Sequence, residues 1–199
     1  MKSLALAALL LLALVPSAAR AGVLFEGRLE GTAIRGEFGA GAARVRLVVG
    51  DRSYLVDVPT GRIYALAAGR VRRLDAEDRG LPLEGFRLER WYEGPRVAGY
   101  ASSYHVLRRG TAICAEVLAS RWMGRMLAPL VRAIALLQEV DPAIRPRARG
   151  RCGAIPFEVY ARSGFPLMAG WQDEAVFVTE RLRFDHPLPR HALGLPGER

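Results

Sequence analysis

Lysine is almost missing from this sequence. Lys2 is the only one in 199 residues, so 28 of the 29 basic residues are arginines. A chain without lysine beyond position 2 has no Schiff-base chemistry and no phosphate-binding P-loop lysine. Cysteine is nearly as scarce: the two residues show no C-x-x-C spacing, which excludes a dithiol redox motif. No G-x-S-x-G, S-x-x-K or H-E-x-x-H pattern occurs, so the common hydrolase classes have no support. After the first 15 residues, no apolar run is long enough to span a bilayer. Internal repeats and low-complexity stretches are also lacking.

The composition is that of a globular protein, 51% apolar and 25% charged, with a length that suits one domain with a real core. The first segment reads as an export signal. Lys2 supplies the positive start, Leu4 to Val15 the apolar stretch, and Pro16 the break. Ala19-Arg20-Ala21 then places small residues for cleavage near Ala21, with Ser17-Ala18-Ala19 as the second choice. Removal of residues 1–21 would leave 178 residues and lower the net charge from +9 to +7. The expected location is the periplasm, which removes nucleic acid as a partner. In that oxidising compartment Cys114 and Cys152, 38 positions apart, are expected to form a disulfide. A loop of that size stabilises by about 3–4 kcal/mol on the entropic account.

Most of the chain alternates with the period of strands. Val23, Phe25, Gly27 and Leu29 share one face, as do Val45, Leu47 and Val49, and then Tyr54, Val56 and Val58. Short strands are expected at Ile63–Ala67, Val71–Leu74, Phe86–Tyr92, Tyr100–Leu107, Thr111–Ala119, Pro156–Arg162 and Ala175–Phe184. In the Thr111 strand, Ile113, Ala115 and Val117 are expected on one face and Cys114 on the other. Residues 121–140 differ. Met123, Met126, Leu127, Leu130, Ile134 and Leu137 recur at helical spacing, and Pro129 predicts a kink or a second helix starting there. The expected organisation is a domain over residues 22–186 followed by a loose tail over 187–199. Its fold class is mainly β (α+β), a strongly curved antiparallel sheet or incomplete barrel with the amphipathic helix covering its concave face.

Candidate chemistry is thin. Gly36, Gly39 and Gly41 fail as a phosphate cradle because neither GKS/T nor a helix follows, so a turn or bulge is expected. His105 lies in a strand, and His186 and His191 lie in the Pro-rich tail without metal-ligand geometry, so no metal and no cofactor is expected. Trp91, Trp122, Met123, Met126, Leu127, Leu130 and Ile134 are the candidate lining of an apolar ligand site, each of them also serviceable as ordinary core. The alternation Arg145, Arg147, Arg149, Arg151 would suit an anionic membrane surface, or it reflects an arginine-rich composition.

Several stretches carry a family likeness. Arg44-Val45-Arg46-Leu47, Leu55-Val56-Asp57-Val58 and Thr60-Gly61-Arg62-Ile63-Tyr64-Ala65-Leu66 resemble the opening hairpins of secreted bacterial proteins of domain-of-unknown-function family 4412. Val97-Ala98-Gly99-Tyr100, Tyr104-His105-Val106 and Glu116-Val117-Leu118-Ala119 resemble its middle hairpin. Gly164-Phe165-Pro166-Leu167 and the strand from Val176 to Leu182 resemble its close. The resemblance implies a relation to the periplasmic lipoprotein-carrier (LolA-like) half-barrel, with an apolar cavity for acyl chains. It supplies no catalytic residue. The resulting expectation is a non-enzymatic protein that binds a lipid, a lipoprotein acyl chain or another apolar ligand. The alternative is an envelope interaction or sensor module whose cavity is filled.

Overall fold

The computed structural model describes residues 20–39, 43–68, 70–75, 83–172, 174–189 and 192–195. Most of the expected export signal, Gly41 and His191 lie outside them.

The strands in chain order are β1 (Arg20–Leu29), β2 (Thr32–Gly39), β3 (Arg44–Val49), β4 (Arg52–Asp57), β5 (Arg62–Ala67), β6 (Arg70–Leu74), β7 (Phe86–Val97), β8 (Tyr100–Arg109), β9 (Ala112–Ser120), β10 (Phe165–Trp171) and β11 (Glu174–Leu188). Between β9 and β10 lie α1 (Arg121–Met126), α2 (Ala128–Val140) and the short α3 (Phe157–Tyr160). All strands belong to one sheet of order β6-β5-β4-β3-β2-β1-β11-β10-β9-β8-β7. Two antiparallel meanders are thus joined by the pairing of β1 with β11. The sheet is curved and stays open, with β6 and β7 as its edges.

Alternation places the core as expected over much of the chain. Phe25, Leu29, Val45, Leu47, Val49, Val56 and Ile63 are fully buried. They share one core with Met123, Leu127, Leu130 and Ile134 of the helices and with Val117, Phe165 and Leu167 from the other half of the sheet. Phe25, Phe157, Phe165 and Phe177 pack edge-on and stacked at its centre, with ring centroids 4.9 to 6.1 Å apart.

Proline breaks the helix as its chemistry requires. α1 stops at Met126, Leu127 leaves helical geometry at φ −99° and ψ 7°, and α2 begins one residue before Pro129. A proline in the first turn sacrifices no helical hydrogen bond. Asp141 caps the end of α2 and accepts a hydrogen bond from the Ala143 backbone N–H at 2.9 Å. Gln138 binds both arms of the following loop. It donates to the Ile144 carbonyl at 3.0 Å and accepts from the Phe157 N–H at 2.9 Å.

Five expectations are corrected. Residues 156–162 are not a strand: Pro156 precedes α3, and a 3-10 turn follows at Ala161–Ser163. Gly36 is not in a turn. It lies inside β2, where a Cβ would stand 2.7 Å from Leu130 Cδ1, so it is the slot into which α2 packs. A register shift between Leu107 and Arg108 bulges β9, turning Cys114 inward and leaving Ile113 exposed. Alternation predicts one shared face for Val176, Val178, Leu182 and Phe184, but a second shift, beside Glu26 and Gly27, breaks it and turns Phe177 and Thr179 of β11 inward. The final strand also runs past Phe184 to a buried Leu188, paired opposite Arg20.

Candidate functional site

Cys114 and Cys152 form the expected disulfide, with Cα atoms 5.6 Å apart. It ties β9 to the 3-10 turn Gly150–Cys152 in the loop after α2. Arg109 reinforces the junction by donating to the Cys152 carbonyl at 3.0 Å.

The apolar candidates divide into two groups. Met123, Leu127, Leu130 and Ile134 have no exposed surface and belong to the core. Trp91, Trp122 and Met126 point outward, at 55%, 54% and 41% exposure. Trp122 and Met126 stand four residues apart on α1 and so share its outer side. Trp122 packs against Phe184 of β11 and Tyr100 of β8, with centroids 5.7 and 6.2 Å away. Tyr100 also meets Phe184 edge-on and donates its hydroxyl to the Leu182 carbonyl at 3.1 Å. These three rings form an aromatic patch where β9 gives way to α1. Trp91 is elsewhere, on the far face of the β7–β8 hairpin beside Tyr104, which stacks on Tyr92 at 4.7 Å. The structure therefore does not bring Trp91 together with the other candidates.

Two glycines seat α1. Gly164 has φ +138°, and a Cβ there would lie 2.5 Å from the Ser120 carbonyl oxygen. A Cβ on Gly124 would lie 3.0 Å from Gly164 Cα. The helix can approach the strand behind it this closely only because both side chains are missing.

The four-arginine loop is not a uniform basic surface. Arg149 is buried, with its guanidinium 2.8 Å from the Glu30 carboxylate, and Arg147 stands 3.7 Å from the same group. Arg145 donates to the Glu139 carbonyl at 3.2 Å. Arg149 is thus removed from the set that was expected to face an anionic membrane. Glu30 holds its place at a left-handed φ of 52° in the β1–β2 turn.

A second buried carboxylate, Asp141, accepts from the Tyr54 hydroxyl at 2.8 Å and pairs with Arg52 at 2.9 Å. Burial, and then the bond to Asp141, push the Tyr54 hydroxyl up to about 12. This group borders an open groove of about 1060 Å³ between β4–β6 and the end of α2. His105 is 5% exposed, and neither ring nitrogen has a hydrogen-bond partner. Burial, and then the nearby Arg90 charge, hold its imidazole below the ordinary histidine range. Among the described residues no three His, Cys, Asp or Glu side chains gather to hold a metal, and no helix is long and apolar enough to cross a membrane.

No family model matches the chain, and no curated protein does. A solved structure titled "Crystal structure of MucB" is similar to it, at 14% identity and a TM-score of 0.42. The match covers 95% of this chain and 62% of that one. The likeness to family 4412 therefore rests on its short motifs.

Sequence reading missed Tyr100 and Phe184 as partners of Trp122, and missed Glu30 and Asp141 as buried anions. The aromatic signal was present as Tyr100 at a hairpin start and Phe184 in a period-two strand. Only the topology, which sets β8 and β11 on either side of α1, joins them. Glu30 and Asp141 each lie beside a turn, where an acidic residue ordinarily reads as solvated.

Proposed function

We propose that this chain is a non-enzymatic periplasmic binding protein for a lipid, an acyl chain or another apolar ligand. In this reading residues 1–21 direct export and α1 and α2 lie across the concave face of a half-barrel. The disulfide Cys114–Cys152 accords with an oxidising compartment. The observation that carries the binding role is the aromatic patch of Trp122, Tyr100 and Phe184, extended along α1 by Met126. Trp122 and Met126 stay in solvent over the half-buried Tyr100 and Phe184, and exposed apolar side chains grouped in this way are a common mark of a binding surface. Met123 of the same helix and Leu127 just past its end are buried in the core beneath. A polarisable methionine beside rigid rings adapts to chains of varied shape.

Uptake of an environment-sensitive fluorescent fatty acid tests this. Saturable enhancement is expected, with at least about tenfold weaker binding in Trp122→Ala, the equivalent of about 1.4 kcal/mol. No enhancement in the unaltered protein would remove the ligand role.

One observation favours the second reading, an envelope interaction module. Met123, Leu127, Leu130 and Ile134 fill the space beneath the helices without exposed surface. The partner would then add to the open β7 edge, beside the exposed Trp91 and Tyr92. Site-directed crosslinking at position 91 in intact cells would capture that partner, and a crosslink at 91 without ligand uptake would select this reading.

A further inference from the structure

Alternation along β7 turns Phe86, Leu88 and Arg90 to the face that carries the core, opposite Arg109, Leu107 and His105 of β8. The edge strand thus ends its apolar series with a cation. Between that cation and α1 runs a groove of two adjoining concavities, about 800 and 430 Å³. Arg90, Arg121 and Arg125 line both. These three arginines form no ion pair and no hydrogen bond with any described residue. Two more are fixed at the ends of the groove: Arg96 donates to the Gly99 carbonyl at 2.7 Å, and Arg162 to the carbonyls of Phe86 and Leu83. Glu93 is the one carboxylate among the lining residues.

Buried polar groups lie in the walls of the same space. His105 and Ser163 line the smaller concavity and Ser120 the larger. His105 is 5% exposed and Ser120 1% exposed. Neither the imidazole nitrogens nor the two serine hydroxyls have a partner.

We propose that this groove is a binding site for a phosphoryl group. Five arginines against the single carboxylate of Glu93, three of them without an anionic partner, are a set that repels metal ions and suits an oxyanion. Guanidinium forks match phosphate oxygens in bidentate geometry. A phosphoryl group offers more acceptor oxygens than a carboxylate to guanidinium donors arriving from β7 and α1. The site does not rest on the apolar-ligand reading. Only its source does: Trp122 stands on the rim of the larger concavity, so the phosphoryl group of an anionic lipid would place its chains on the aromatic patch.

Titration calorimetry at low ionic strength separates the outcomes. The purified protein is titrated with inorganic phosphate and with short-chain dihexanoyl phosphatidic acid. Saturable phosphate binding is expected, weakened at least about tenfold in Arg121→Gln/Arg125→Gln and unchanged in Arg145→Gln/Arg151→Gln. Circular dichroism shows that each variant is folded. No saturable binding, or equal weakening by both pairs, would overturn the site. Tighter binding of the phosphatidic acid, with the excess lost in Trp122→Ala, identifies a lipid headgroup. Equal affinities identify a free phosphoryl anion, and the site then stands even where fatty-acid uptake fails.

Discussion

Glu30 and Arg149 are more than a hundred positions apart, yet they meet 2.8 Å from one another with almost no solvent contact. Both charges are desolvated; Glu30 keeps a more distant contact with Arg147, whereas removing Glu30 leaves Arg149 as a buried cation without its anion. Glu30→Gln is expected to lower stability by about 3–5 kcal/mol in urea unfolding, a loss no exposed ion pair such as Arg28–Glu180 would produce. Tyr54 makes a second case, read through pH. Its hydroxyl, held up to about 12 by burial and Asp141, favours the fold while protonated. That contribution is complete below pH 10 and fades as pH climbs toward 12. Tyr54→Phe should therefore be less stable than the parent by about 1.5–3 kcal/mol at pH 8, since the lost bond is to a carboxylate. The gap should narrow across pH 10–12 in paired unfolding curves.

At the scale of elements, packing turns on missing side chains. Gly36 admits Leu130 of α2 into β2, so Gly36→Val is expected to cost about 1–3 kcal/mol. Leu130→Ala in the same chain should return part of that loss, because the two changes share one contact. A double-mutant cycle measures it. The bridge between β9 and the loop after α2 is the other fastening. Cys114→Ser/Cys152→Ser should lose about 3–4 kcal/mol in unfolding under oxidising conditions. The same two elements show what sequence reading reaches. Period-two faces in β1, β3 and β4, the proline break before α2 and the disulfide were all legible, because local chemistry dictates them. β2 was not, since its inward glycine imitates a turn. α3 was not, since four residues carry no helical period. Cys114 faces inward only through a bulge, which no alternation count foresees. For the candidate site, the apolar spacing of α1 was legible, but which of its residues stay in solvent depends on strands far away in the chain.

At the scale of the molecule, two meanders share one core while both sheet edges remain unpaired among the described residues. Arg70, Arg72 and Arg73 keep the β6 edge charged and exposed, a common defence against strand addition. Part of the apolar surface that is left over, Trp122 and Met126, lies beside an arginine-lined groove. In our account this is where one amphiphilic molecule is held. Native mass spectrometry of the protein purified from periplasm tests that claim most directly. The account predicts a population heavier than the polypeptide by the mass of a lipid-sized ligand, and its loss in Trp122→Ala. A bare polypeptide mass in the unaltered protein, together with no uptake of added fluorescent fatty acid, would contradict it.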